Sequence, residues 1–239
     1  MELIIDSKEN IAARAAKQYI DLLKGKPNAV LGLATGSTPL GLYAELVRLY
    51  QAGEISFKDA TSFNLDEYVG LPPTHDQSYK YFMMHNLFNH VDLPEERIHV
   101  PSGLDTSAET LSGYDAAIKA AGGVDLQLLG IGNNGHIGFN EPGTPLESLT
   151  HVVELTLDTR EVNSRFFQSL DEVPTHAATM GIRTVMNARS IILIALGSAK
   201  ADCIKKTVQG PVTAEVPASV LQLHPNCTIY CDPEAAALL

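Results

Sequence analysis

Within this 239-residue chain, residues able to move protons or hold an anion gather in a few short, glycine-rich segments. The densest is GIGNNGHIGFNEPG, Gly130 to Gly143, which carries Asn134, His136 and Glu141. An imidazole titrates near neutrality and can act as acid or base. Gly135 and Gly138 flank His136 and leave room for close approach of a ligand. Glu141, five residues on, is placed to orient the ring or raise its basicity. Gly130, Gly132 and Gly135 also satisfy G-x-G-x-x-G, the dinucleotide fingerprint. That motif needs its third glycine inside a helix facing the pyrophosphate. Here Gly138, Pro142, Gly143 and Pro145 follow, and a helix tolerates glycine poorly and proline hardly at all. Glu154 stands near the ribose-binding position, but THVVELTL around it alternates too irregularly to decide anything. The loop reads as acid–base chemistry rather than nucleotide binding.

Four further segments carry usable groups. FNLDEY presents Asp66 and Glu67 just past a strand, where adjacent side chains diverge and one carboxylate can face a cleft. No second acidic group lies at metal-ligand spacing, which favours a general base over a metal ligand. TGSTP, Thr35 to Pro39, offers Gly36, Ser37 and Thr38 before a helix whose free N–H groups suit a phosphate. A hydroxyl-rich helix cap is the equal alternative. Lys200, in LGSAK, sits at a helix start that the dipole disfavours for a cation, and Arg165, in TREVNSRFF, could add a bidentate fork. A phosphate cradle, a carboxylate base and a histidine with its carboxylate suit proton transfer on a sugar phosphate. Aldose–ketose isomerisation through an enediol-like intermediate is one such reaction, and no metal or cofactor motif accompanies the set.

The elements that must position these groups alternate along the chain. ELII, AVLGLA, ATSFNL, RIHV, VDLQLLG, SIILIAL and CTIYC read as strands. SKENIAARAAKQYIDLLK, PLGLYAELVRLYQAG, DQSYKYFMMHNLFNHV, TSAETLSGYDAAIKAAG and AKADCIKKTVQG read as helices. Ser7 is a fitting N-cap, and Ile11, Ala15, Ala16, Tyr19, Leu22 and Leu23 form one apolar stripe. AVLGLA and SIILIAL are nearly all apolar, as strands covered on both faces are. The pattern predicts an α/β fold: a doubly wound, mostly parallel, Rossmann-like sheet with helices on both faces. No linker or repeat divides it, so residues 1–239 read as a single domain. In such sheets ligands bind beyond the carboxyl ends of the strands, and TGSTP, DEYVGLPP, GNNGHIGFNEPG and GSAK each follow a strand.

Composition narrows the partners. With 28 acidic against 17 basic residues, the formal net charge is −11. This argues against nucleic acid, and an anionic ligand must be held by a local cluster of donors. The most apolar stretch, IILIAL, is too short to span a bilayer. MELIIDSKEN lacks the basic start and apolar run of a signal peptide, so a cytoplasmic location is expected. Three cysteines make no disulfide framework, and Cys227 and Cys231 fall on one face of a strand.

Taken in order, TGSTP, FNLDEYVGLP, GIGNNGHIGFNEPG, TREVNSRFF, LGSAK and LQLHP closely resemble the glucosamine-6-phosphate deaminase (isomerase) family, from about Val30 to Cys231. The resemblance implies conversion of glucosamine 6-phosphate and water to fructose 6-phosphate and ammonia, a hydrolase-type isomerisation with no cofactor. By the same resemblance, Asp66 is the base that moves a proton from C2 to C1. His136 opens the pyranose ring and Glu141 is its partner. Asn134 stands where one branch of the family has an aspartate. Gly36, Ser37, Thr38, Arg165 and Lys200 match the phosphate-binding set, and the segment around Arg165 resembles a mobile lid. A 6-phosphogluconolactonase-like hydrolase and a non-catalytic sugar-phosphate sensor are the rivals. DEYVGLP favours the deaminase. Oligomeric state is not legible.

Overall fold

The computed structural model describes all residues 1–239. In chain order, β1 (Glu2–Ile5), α1 (Lys8–Gly25), β2 (Val30–Leu33), α2 (Leu40–Gln51) and β3 (Thr61–Asn64) come first. They are followed by β4 (Asp66–Tyr68), α3 (Tyr79–Asn86), β5 (Ile98–His99), α4 (Ala108–Ala120) and β6 (Leu126–Leu129). The last part holds β7 (His151–Glu154), α5 (Leu157–Asn163), β8 (His176–Thr179), α6 (Ile182–Met186), β9 (Ser190–Ala195), α7 (Ala201–Gln209) and β10 (Cys227–Cys231).

The seven strands expected from sequence form one sheet, in the order β1-β10-β9-β6-β2-β3-β5, and every pairing is parallel. Parallel strands buried on both faces need no polar alternation, and Ile191 to Ala195 of β9 are all buried. Sheet and helices share one core of 51 buried residues. On α1, Ile11, Ala15, Ala16, Tyr19 and Leu23 are buried, and Leu22 packs at the margin. Ser7, Ser78, Ser107 and Thr156 cap α1, α3, α4 and α5, each accepting a backbone N–H. Such caps are worth about 1 kcal/mol apiece. Cys227 and Cys231 are buried and unpaired, as is Cys203.

The strand order places the site. From β2 the chain moves toward β3 and β5, whereas from β6 it moves the other way, to β9 and β10. β2 and β6 are neighbours, so the loops leaving them diverge and open a crevice.

One expected helix needed correction in its bounds. The helix expected over Asp76–Val91 begins only at Tyr79, because Ser78 is extended and caps it, and it gives way to a 3-10 turn at Phe88–His90. THVVELTL, whose alternation decides nothing by itself, contains a strand. Its His151–Glu154 stretch is β7 of a separate antiparallel sheet, β4-β8-β7, in which Asp66 faces Thr179. That small sheet sits on its own apolar cluster of Tyr68, Phe139, Leu155 and Ala177.

Candidate active site

A cleft of about 380 Å³ lies at the carboxyl ends of β2 and β6. Its wall includes Gly36, Ser37 and Thr38 after β2, Asp66 on β4, His136 after β6, Arg165 beyond α5, and Lys200 after β9. Residues far apart in the chain therefore meet at one sheet edge. Asn134 and Glu141 stand behind the wall and support it.

Among the anion-binding candidates, the helix-cap alternative for TGSTP fails. α2 begins at Leu40 with Pro39 as its N-cap and no side-chain cap. The hydroxyls of Ser37 and Thr38 border the cleft instead, with Gly36 in the left-handed region at φ 94°. Lys200 reaches the same end and donates from Nζ to Asn133 Oδ1 at 2.7 Å. Burial pushes its ammonium below the ordinary lysine value, and the neighbouring Arg165 guanidinium adds to this. Arg165 itself is exposed, lying 4.7 Å over the Phe166 ring. Two cations converging on a chain of net charge −11 make a local positive site in a negative field.

The adjacent carboxylates diverge as β-geometry requires. Glu67 points away and gathers three backbone N–H groups, from Tyr68 at 2.9 Å, Tyr79 at 2.8 Å and Lys80 at 2.9 Å. Glu67 thereby fixes the start of α3 and seats Tyr79 on the cleft wall. Asp66 points inward and is 6% exposed. Burial, and secondarily the Glu67 charge, push its carboxyl up to about 8 with no hydrogen bond to hold it down. A carboxyl with a pKa near neutrality is well matched to general-base work. Gly138, at φ 59°, makes room beside it, since a Cβ there would lie 2.9 Å from Thr179 Oγ1 and 3.6 Å from Asp66 Oδ2.

The histidine loop answers why its glycines recur. Gly132 N donates to His136 O at 2.9 Å, and a Cβ on Gly132 would collide with the imidazole ring. Gly132 thus admits a side chain rather than a pyrophosphate. Nδ1 of His136 lies 3.4 Å from Glu141 Oε2. Asn134 locks the pair: its Nδ2 donates to Glu141 Oε2 at 2.6 Å, and its Oδ1 accepts from His136 N at 3.1 Å. Thr159 and Thr156 donate to the other oxygen of Glu141. Burial alone would raise this carboxyl, but His136, Thr159 and Asn134 outweigh it and bring it down to about 2. One carboxyl near 8 and another near 2 sit in the same site, a separation typical of divided acid–base roles.

Sequence reading missed Tyr79, Asn133, Thr156 and Thr159. Asn133 was legible as part of the histidine loop. The threonines carry a local signal, T-x-x-T at a helix start, but nothing local ties them to Glu141.

An open α/β sheet bearing this cleft at its switch point defines an acid–base enzyme for a small anionic substrate. Residues 6–230 match the family described as glucosamine-6-phosphate isomerases/6-phosphogluconolactonase. A glucosamine-6-phosphate deaminase of Thermoanaerobacter pseudethanolicus is 52% identical over all of this chain and 95% of its own length. That of Lachnoclostridium phytofermentans is 56% identical over 86% of this chain and 88% of its own. Among solved structures, a monomeric glucosamine-6-phosphate deaminase superposes with a TM-score of 0.97 at 43% identity, with both chains fully covered. A 6-phosphogluconolactonase from Trypanosoma cruzi, 19% identical with a TM-score of 0.78, shares the fold. The chain belongs to the glucosamine-6-phosphate isomerase/6-phosphogluconolactonase family.

Proposed function

We propose that the whole chain, residues 1–239, is one catalytic unit that converts glucosamine 6-phosphate and water to fructose 6-phosphate and ammonia. The observation that carries this is the unpartnered Asp66 carboxyl across the cleft from the imidazole of His136, whose Nδ1 lies 3.4 Å from Glu141, beside a two-cation cradle. Relatives at 52% and 56% identity that bear the deaminase name support it.

Backbone N–H groups near Gly36, with Ser37, Thr38, Arg165 and Lys200, hold the phosphate. His136 transfers a proton to the ring oxygen while the C1 hydroxyl loses one, and the pyranose opens to the aldehyde. Glu141 stabilises the imidazolium through this exchange, and Asn134 keeps the carboxylate in place. Asp66 then takes the proton from C2, giving a C1–C2 enolamine as O1 is protonated. It returns that proton to C1 as the nitrogen lone pair closes the C2–N double bond, which makes C2 an iminium and leaves the C1 hydroxyl in place. Water adds at C2 and ammonia departs, leaving the ketone. The release of ammonia is therefore hydrolytic within an isomerisation.

In the empty cleft Asp66 holds its proton near neutrality. The 2-ammonium group of the substrate, bound beside it, favours the ionised form. No helix is long and apolar enough to cross a membrane, and the cytoplasm is where the protein would meet this phosphorylated sugar. Incubation with glucosamine 6-phosphate should release ammonia and fructose 6-phosphate in equal amounts. Neither product, together with hydrolysis of 6-phosphogluconolactone, would transfer the chain to the other branch of its family.

A further inference from the structure

Glu141 is held from two sides. Its Oε2 accepts from Asn134 Nδ2 at 2.6 Å and faces His136 Nδ1 at 3.4 Å. Its Oε1 accepts from Thr159 Oγ1 at 2.5 Å and from Thr156 Oγ1 at 3.3 Å. Both threonines belong to the start of α5. Thr156 is the N-cap and accepts from Thr159 N, and Thr159 is buried in the first turn. The same segment lines the cleft through Asp158, Val162 and Arg165. The carboxylate beside the imidazole is thus tied to the flap that carries a phosphate-binding arginine.

Resting on the deaminase reading, we propose that Thr159 is a positioning residue for ring opening, holding Glu141 so that its second oxygen stays on His136 only while α5 is docked. The terminal torsion of a glutamate is broad and is fixed chiefly by hydrogen bonds to its oxygens. With Oε1 held by the α5 hydroxyls, Oε2 can fix the Nδ1–H tautomer and leave Nε2 for the sugar. Without the Thr159 hydroxyl, Thr156 at 3.3 Å is the only donor left on that oxygen. The carboxylate can then rotate off the ring. Seating of the flap on a bound phosphate is in this way reported to the histidine. No such link is needed for the later C2-to-C1 transfer, which Asp66 performs from a separate strand.

The test compares wild type, Thr159→Val and Thr159→Ser on two substrates. One is glucosamine 6-phosphate. The other is its 4,5-dideoxy analogue, which cannot close a five- or six-membered ring. Valine keeps the shape and removes the hydroxyl, whereas serine keeps the hydroxyl. A hydrogen bond to a charged group corresponds to roughly 10- to 100-fold in rate. Thr159→Val should lose about that much in kcat/KM on the cyclic sugar and less than about threefold on the acyclic one, with Thr159→Ser close to wild type on both. Equal losses on the two substrates, or no rescue by serine, would reduce Thr159 to ordinary packing and overturn the inference. So would a Thr159→Val enzyme as active as wild type. An inactive wild type would instead bring down the proposed function, and this inference with it.

Discussion

Asp66 is buried, inward-facing and without a hydrogen-bond donor, and its behaviour should follow from that isolation. With the carboxyl at about 8 in the empty cleft, kcat/KM, which reports the free enzyme, should rise about tenfold per pH unit from pH 6 and level off near pH 8. A profile flat across that range would mean the carboxylate is already ionised. Asp66→Asn should lose at least about a hundredfold in kcat while still binding a substrate analogue. The same substitution should raise stability. An aspartate near 8 when folded and 3.8 when unfolded binds more protons in the native state between those values, so wild type loses stability as pH climbs through them. Asparagine has no such dependence. Melting curves of the pair should nearly coincide at pH 4 and separate by several degrees at pH 8, the variant being higher. A gap that narrows with rising pH would contradict the sign. Glu141 runs the other way: its stabilising effect is present above its unfolded value and is lost as pH falls toward 2.

At the scale of the element, what the sequence disclosed depended on period and length. The seven main-sheet strands were legible largely through apolar runs such as SIILIA, which are read without knowing their neighbours. β4, β7 and β8 were not. Their residues, DEY, HVVE and HAAT, make no continuous aliphatic run, and β7 is only partly buried along His151–Val153. α5 and α6 are seven and five residues long, below the reach of a helical period. The gathering of Ser37, Asp66, His136 and Lys200 could be anticipated from strand ends, but the tie between Thr159 and Glu141 spans 18 residues and exists only once the loop folds. The glycine pattern carried a false message that the loop geometry corrects. Gly132 is a seat for the His136 ring, so Gly132→Ala should displace the imidazole, because a Cβ there meets it directly. We expect kcat to fall at least about tenfold while the melting temperature drops only modestly. Unchanged turnover in Gly132→Ala would show that the ring tolerates being moved.

For the molecule as a whole, the charge of −11 works against its own substrate, and the cradle must overcome it locally. Hydrogen bonds to charged groups contribute ~1.5–3 kcal/mol each, and about 1.4 kcal/mol is tenfold. Two or three of them therefore distinguish glucosamine 6-phosphate from free glucosamine by on the order of 10³-fold or more. Lys200→Ala should lower kcat/KM for the phosphorylated sugar far more than for glucosamine. An equal factor for both would place the anion elsewhere. The two sheets also differ in what holds them. The main sheet stands on a core of 51 residues, and the small sheet on four. A chain built this way should open locally before it unfolds globally, and the opening should fall along β7, α5 and β8. Arg165, exposed within that seam, then becomes the molecule's first internal point of attack by trypsin. Inorganic phosphate, by drawing the guanidinium into the cradle, should slow that cut several-fold and leave later cuts untouched. Any closure of this segment on the anion would thus be measurable on a gel, as the rate at which one peptide bond is lost.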